Sequence, residues 1–219
     1  MYSSRVLDRM LLSGLVGLLL VLTAEARVGK SSESHLCYET EQCLHFDLIC
    51  QTKDFEVRHI ESVNWVTTYE MDYSIDTAAT KAFTRLYKYT KGANQNGTKM
   101  DLVTPVVVRV PHNSSSEMSA YIVHLLLPAE YQDNPPKPTD DNVHLLRSPD
   151  MNLYVRGYDG WLTAKSDREM AQSLASDLDS VGANYKKNFH FANTYSSPLS
   201  DTHRHSEVMF VALDEPVCI

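Results

Sequence analysis

The chain has 219 residues, with 20 Lys and Arg against 28 Asp and Glu, a net charge of −8 and a mean hydropathy of −0.30. A surface this acidic is repelled by phosphate backbones and anionic lipid, which argues against nucleic-acid binding. The length suits a single domain able to bury a core without help from a metal.

Arg5 and Arg9 precede an apolar run from Met10 to Leu22, and Ala24-Glu25-Ala26 places small residues at −3 and −1 of a cleavage site. That run, about 13 residues long, falls short of the roughly 20 that a spanning helix needs. Residues 1–26 are therefore expected to be an export signal, the protein to be secreted and extracellular, and stable membrane insertion to be absent. Residues 27–44 read as a cysteine-containing N-terminal extension and 45–219 as the domain proper.

Four cysteines follow the signal: Cys37, Cys43, Cys50 and Cys218. An even count in an exported chain predicts two disulfides, with three possible connectivities. The C-x5-C and C-x6-C spacings do not match zinc knuckles. A bridge from the N-terminal cluster to Cys218 closes a loop of more than 160 residues, worth on the order of 5 kcal/mol in the chain-entropy model. Two sequons, at Asn96 and Asn113, fall in polar, turn-like stretches and are expected to carry glycans.

In chain order, residues 46–51 and 55–60 read as a strand hairpin turning at Thr52-Lys53-Asp54, and 63–69 as a further strand. Residues 74–91 have helical period, with Ile75, Ala79, Ala82, Phe83 and Leu86 on one stripe and Gly92 as the stop. Strands 102–110 and 121–127 form a second pair. Strands 143–147 and 153–158 form a third, joined through Ser148-Pro149-Asp150. A second helix spans 166–181, with a capping box at Ser166-Asp167-Arg168-Glu169 and Gly182 at its end. Residues 185–195 and 207–213 complete the strands. This order predicts an α+β fold: a distorted antiparallel β-barrel flanked by two α-helices, with an internal pseudo-two-fold repeat.

Six strings occur in an order that resembles the SOUL/heme-binding family. They are Asp54-Phe55-Glu56-Val57-Arg58-His59-Ile60 with Asn64-Trp65-Val66-Thr67-Thr68, then the helix Ala82 to Asn94, then Lys99 to Val106. The loop Leu127-Pro128 to Pro138, the strand Tyr154 to Trp161, and Arg204-His205-Ser206-Glu207-Val208 follow. Departures occur at Leu102-Val103, Thr194-Tyr195 and Ser206. The resemblance implies a barrel that binds heme or a related porphyrin reversibly, without a catalytic step.

A porphyrin needs an apolar cleft, an imidazole or soft ligand for iron, and cations for its propionates. His59, at a strand end, is the candidate axial ligand. Lys81, Arg85 and Lys88, on one face of the first helix, are candidate propionate contacts. His203, His205 and Glu207 would share a strand face, a possible metal set. No G-x-S-x-G, H-E-x-x-H, P-loop or G-x-G-x-x-G pattern occurs. The expected function is a secreted, non-enzymatic tetrapyrrole carrier or scavenger. The alternative is an extracellular interaction or signalling protein, with a protein partner, that uses the same fold as scaffold.

Overall fold

The computed structural model describes residues 27–34, 36–112, 117–196 and 204–219. The expected export signal, the Asn113 sequon and His203 lie outside the described residues. Eleven strands and two helices are formed: β1 (Val28–Lys30), β2 (Gln42–Leu44), β3 (Asp47–Gln51), β4 (Glu56–Ile60), β5 (Asn64–Asp72), α1 (Ile75–Thr90), β6 (Val103–Pro111), β7 (Ser119–Leu126), β8 (His144–Arg147), β9 (Met151–Asp159), α2 (Ala164–Ser180), β10 (Phe189–Thr194) and β11 (His205–Val211).

Nine of these strands form a curled path in the order β3-β4-β9-β11-β10-β6-β7-β5-β8, with β1 and β2 off it. Every neighbour along this path is antiparallel. The path ends at β3 and β8 without closing, so the expected barrel is an open half-barrel. Its pseudo-two-fold repeat is explicit: β5-α1-β6-β7 stacks as β5-β7-β6, β9-α2-β10-β11 stacks as β9-β11-β10, and β6 pairs β10 at the centre.

The third expected hairpin is corrected. β8 and β9 do not pair with one another: β8 pairs β5, while β9 pairs β4 and β11. The strand preceding each repeat thus crosses to the other repeat, a choice made by the sheet as a whole and invisible in the three-residue link between them. β1 and β2, not anticipated from the sequence, form a small hairpin that sends Val28 and Leu44 into the cluster around Trp65, Val103, Val107, Leu126, Leu153 and Met209.

Alternation along each strand divides the sheet into two faces. Both helices pack on one. Ile75, Ala78, Ala82, Leu86 and Tyr89 of α1 bury against Val66, Val108, Val123 and Leu125. Ala171, Leu174 and Leu178 of α2 bury against Tyr154, Val208 and Phe210. Ser74 caps α1 by accepting from the Asp76 amide. α2 starts earlier than the sequence pattern indicated: Thr163 is the cap and Ser166 its reciprocal partner within the box, so the expected role of Glu169 is not used. Gly92 (φ +107°) and Gly182 (φ +68°) take the left-handed backbone that ends each helix.

The disulfides are Cys37–Cys43, a local clip six residues apart, and Cys50–Cys218, which ties the edge strand β3 to the C-terminal segment across 168 residues.

Candidate ligand-binding site

The order β4-β9-β11-β10 brings the end of β4, the start of β9, the end of β11 and the start of β10 to one mouth of the half-barrel. There His59, Met151, Asn152, Lys186, Phe189, Phe191, Val211 and Leu213 line a groove of about 460 Å³, a size that suits a small-molecule ligand.

His59 and Asn152 are register partners across β4 and β9. Their Nδ1 and Oδ1 atoms are 3.0 Å apart. An amide oxygen only accepts, so Nδ1 carries a proton, and in the neutral ring the lone pair is then on Nε2. A neutral ring with its tautomer fixed by a second residue is the form in which histidine ligates a metal.

Phe189 and Phe191 point to the groove because they alternate with His190, whose ring turns to the helix face. The two phenyl rings meet edge to face at 5.2 Å. The Arg109 guanidinium lies 4.1 Å from the Phe189 ring centre, and Lys186 Nζ lies 5.2 Å from it, close enough for cation–π attraction. Two cations therefore flank one end of an aromatic wall. Behind Phe191, the His124 ring is buried between Phe191 and Trp65. Burial pushes its pKa down to about 4, with the Arg109 charge adding to the effect. That imidazole is neutral at physiological pH.

The other sequence candidates sit elsewhere. Lys81 Nζ pairs with Asp72 Oδ2 at 3.0 Å, and Arg85 Nη2 with Glu70 Oε2 at 2.9 Å. Arg85 also donates to Thr68 Oγ1. The Lys81 hydrogen bond holds the Asp72 carboxyl below its ordinary value. Lys88 is exposed on α1. None of the three lines the His59 groove. Glu207 is fully buried, receiving Arg58 at 2.9 Å, His205 at 3.1 Å and the Tyr195 hydroxyl at 3.1 Å. Its oxygens are thus occupied, and among the described residues no group of three His, Cys, Asp or Glu side chains is placed to hold a metal ion.

His59, singled out in the sequence, lines this groove; Asn152, Arg109, Lys186, Phe189 and Phe191, which lie in or beside it, were not singled out. The Phe-His-Phe alternation at 189–191 was a readable signal for a shared aromatic face. The others needed strand register.

Residues 41–211 match the model of the SOUL heme-binding protein family. The chain belongs to that family. It is 30% identical to mouse heme-binding protein 2 over 171 residues, covering 78% of this chain and 83% of the relative. It is 29% identical to the human heme-binding protein 2, covering 76% and 82%. Among solved structures, the C-terminal domain of EcmrR superposes with a TM-score of 0.54 at 12% identity, covering 74% of this chain and 96% of that domain. That likeness concerns the fold alone. The family's ligand is a flat apolar plate bearing two carboxylates and an iron that accepts imidazole. The mouth residues fit it in part: an apolar wall of Phe189, Phe191 and Val211, an imidazole and the Lys186 cation line the groove together with the carboxylates Asp150 and Asp214, and Arg109 stacks on the Phe189 ring.

Proposed function

We propose that the protein is a secreted, non-enzymatic binder of heme or a related tetrapyrrole, and that the groove at the half-barrel mouth is its site. The observation that carries this reading is His59, held by Asn152 in the tautomer that leaves Nε2 free to ligate, within a groove walled by Phe189, Phe191 and Val211. Bound heme would supply iron and no further chemistry is asked of the chain. Met151, Phe189, Phe191 and Val211 would exclude water from the bound ring, Nε2 of His59 would hold the iron, and Lys186 with Arg109 beside it would meet the propionates in preference to Lys81, Arg85 and Lys88. Apolar burial carries the affinity, at roughly 25 cal/mol per Å² before association costs.

Titration with hemin tests the reading. A saturable, one-to-one Soret shift is expected, and its absence at micromolar protein overturns the proposal. A His59→Ala spectrum identical to the parent's removes His59 as ligand while leaving binding intact.

Secretion is supported by the N-terminal signal pattern and by two disulfides, which persist in oxidising compartments. No helix among the described residues is long and apolar enough to cross a membrane. Asn96 is exposed in a turn held by Asn94, whose Oδ1 accepts from the amides of Asn96 and Thr98. This supports its use as a glycan acceptor. Expression of the full chain in secretory cells should deliver protein beginning at Arg27 to the medium, and retention in the cell overturns this part.

The second reading, a protein-docking role, is favoured by the edge strand β3, where Leu48 and Ile49 are exposed beside the Cys50–Cys218 bridge. A protein that ignores hemin yet retains a partner through Leu48 and Ile49 would establish it.

A further inference from the structure

On the helix side of the sheet, directly behind the aromatic wall, three side chains form a continuous chain of short contacts. His112 Nδ1 lies 2.7 Å from the Lys187 carbonyl oxygen, His112 Nε2 lies 2.7 Å from His190 Nδ1, and His190 Nε2 lies 2.8 Å from Asp167 Oδ1. His190 and Asp167 are buried, while His112 reaches solvent at the edge of a cleft of about 510 Å³ between the two helices.

The protons in this chain can be counted. The terminal groups, a carbonyl and a carboxylate, only accept. Three contacts therefore need three N–H protons, but two neutral imidazoles carry one each. Full satisfaction requires one additional proton. Of the two rings, His190 is the one that faces a carboxylate, Asp167 Oδ1 at 2.8 Å, so the additional proton is best accommodated there; burial holds His112 below the ordinary histidine value.

We infer that this stored proton regulates the groove: it clamps the segment from Lys186 to Phe191, so that ligand affinity is linked to pH through the far face of the sheet. The inference rests on the mouth groove being the ligand site. The linkage is short. His190 lies between Phe189 and Phe191, the groove wall. The His112 ring holds the Lys187 carbonyl, and its backbone amide holds the Asn188 carbonyl at 3.0 Å, fixing the turn that carries Lys186. When the proton leaves, one contact becomes lone pair against lone pair and breaks, and the wall loosens.

The groups facing this chain are Asp167 and Arg168 of α2, Tyr121 of β7, Tyr158 of β9, Asp72 and Asp76 around the start of α1, and Glu117 at the cleft entrance. β11 contributes only the Phe210 ring, 5.8 Å from both imidazoles. His190 is the one ring hydrogen-bonded to a carboxylate here.

Asp167→Asn separates charge from shape. An amide N–H can donate to His190 Nε2, so all three contacts survive with both rings neutral and no additional proton. Protoporphyrin IX, which lacks iron and so does not report on His59, is the probe, and imidazole ¹⁵N NMR gives a ligand-free readout. In the parent protein, the ring N–H count of the His112–His190 pair should drop from three to two as the pH is raised from about 6 to about 8.5. Protoporphyrin affinity should fall about fivefold over that range, one hydrogen bond's worth. In Asp167→Asn both should be flat. His112→Phe, at an exposed position, also abolishes the need for the additional proton and serves if Asp167→Asn does not fold. A His112–His190 pair with the same ring N–H count at both pH values, or the same affinity slope in parent and variant, overturns the inference. If protoporphyrin binds at no pH, the groove reading fails separately. The Phe189 and Phe191 ring resonances then decide: movement with pH in the parent but not the variant supports the clamp, and none in either overturns it.

Discussion

Arg58 of β4 and Glu207 of β11 form a 2.9 Å ion pair in the interior, although β9 lies between their strands. Their side chains are 5% and 0% exposed. Burial pushes the Glu207 carboxyl up, but the His205 hydrogen bond and the Arg58 charge outweigh it and hold the pKa below the ordinary value. The pair's contribution is therefore present above the carboxylate range and lost as pH falls through the depressed folded value. Arg58→Met leaves the buried Glu207 carboxylate without its cation, with only His205 and the Tyr195 hydroxyl as partners, and should cost about 3–5 kcal/mol in denaturant unfolding. Adding Glu207→Gln should restore most of that. A double variant as weak as the single would show that the loss comes from Arg58 packing over Phe46 rather than from charge.

His124 makes a distinct pH prediction. The unfolded ring takes up a proton near its ordinary value of 6.5, but the folded ring waits until about 4. Stability should fall across that window as pH drops, by about 3 kcal/mol in total. His124→Phe keeps the aromatic contacts with Trp65 and Phe191 and should flatten this part of the stability–pH curve, read from urea midpoints.

The two disulfides should differ in worth. Closing 168 residues restrains the unfolded chain by about 5 kcal/mol, whereas the six-residue Cys37–Cys43 clip is worth about 2. Cys50→Ser with Cys218→Ser should therefore lower Tm by about 10 °C or more, and Cys37→Ser with Cys43→Ser by less than half of that. Equal losses by calorimetry would contradict the ordering.

Asn152→Leu removes the acceptor that fixes the His59 tautomer. Hemin affinity should fall about 10- to 100-fold, while protoporphyrin affinity holds. An equal fall for both would make Asn152 a groove-shape residue.

Lys186→Glu should weaken hemin binding and flatten or reverse its fall with added salt, because the screened attraction is replaced by repulsion. Lys88→Glu on α1 should leave both unchanged. The reverse result, measured by titration at two ionic strengths, would move the propionates to α1.

Much of the architecture was legible in the chain. The stripes Ile75-Ala82-Leu86 and Ala171-Leu174-Leu178 announced both helices, and Gly92 and Gly182 their ends. Alternating strands, the repeat and the six ordered strings gave the fold and the family, because side-chain period and capping chemistry act within a few residues. What the tertiary structure alone decided were the encounters across the sheet: β8 with β5, Cys50 with Cys218, His59 with Asn152 at a separation of 93 residues, and His190 with His112 and Asp167. Loop closure costs grow only logarithmically with length, so the chain does not prefer its nearer partners strongly enough to reveal them. Burial of two sheet faces at once selects the pairing, and with it the residues that meet at the groove.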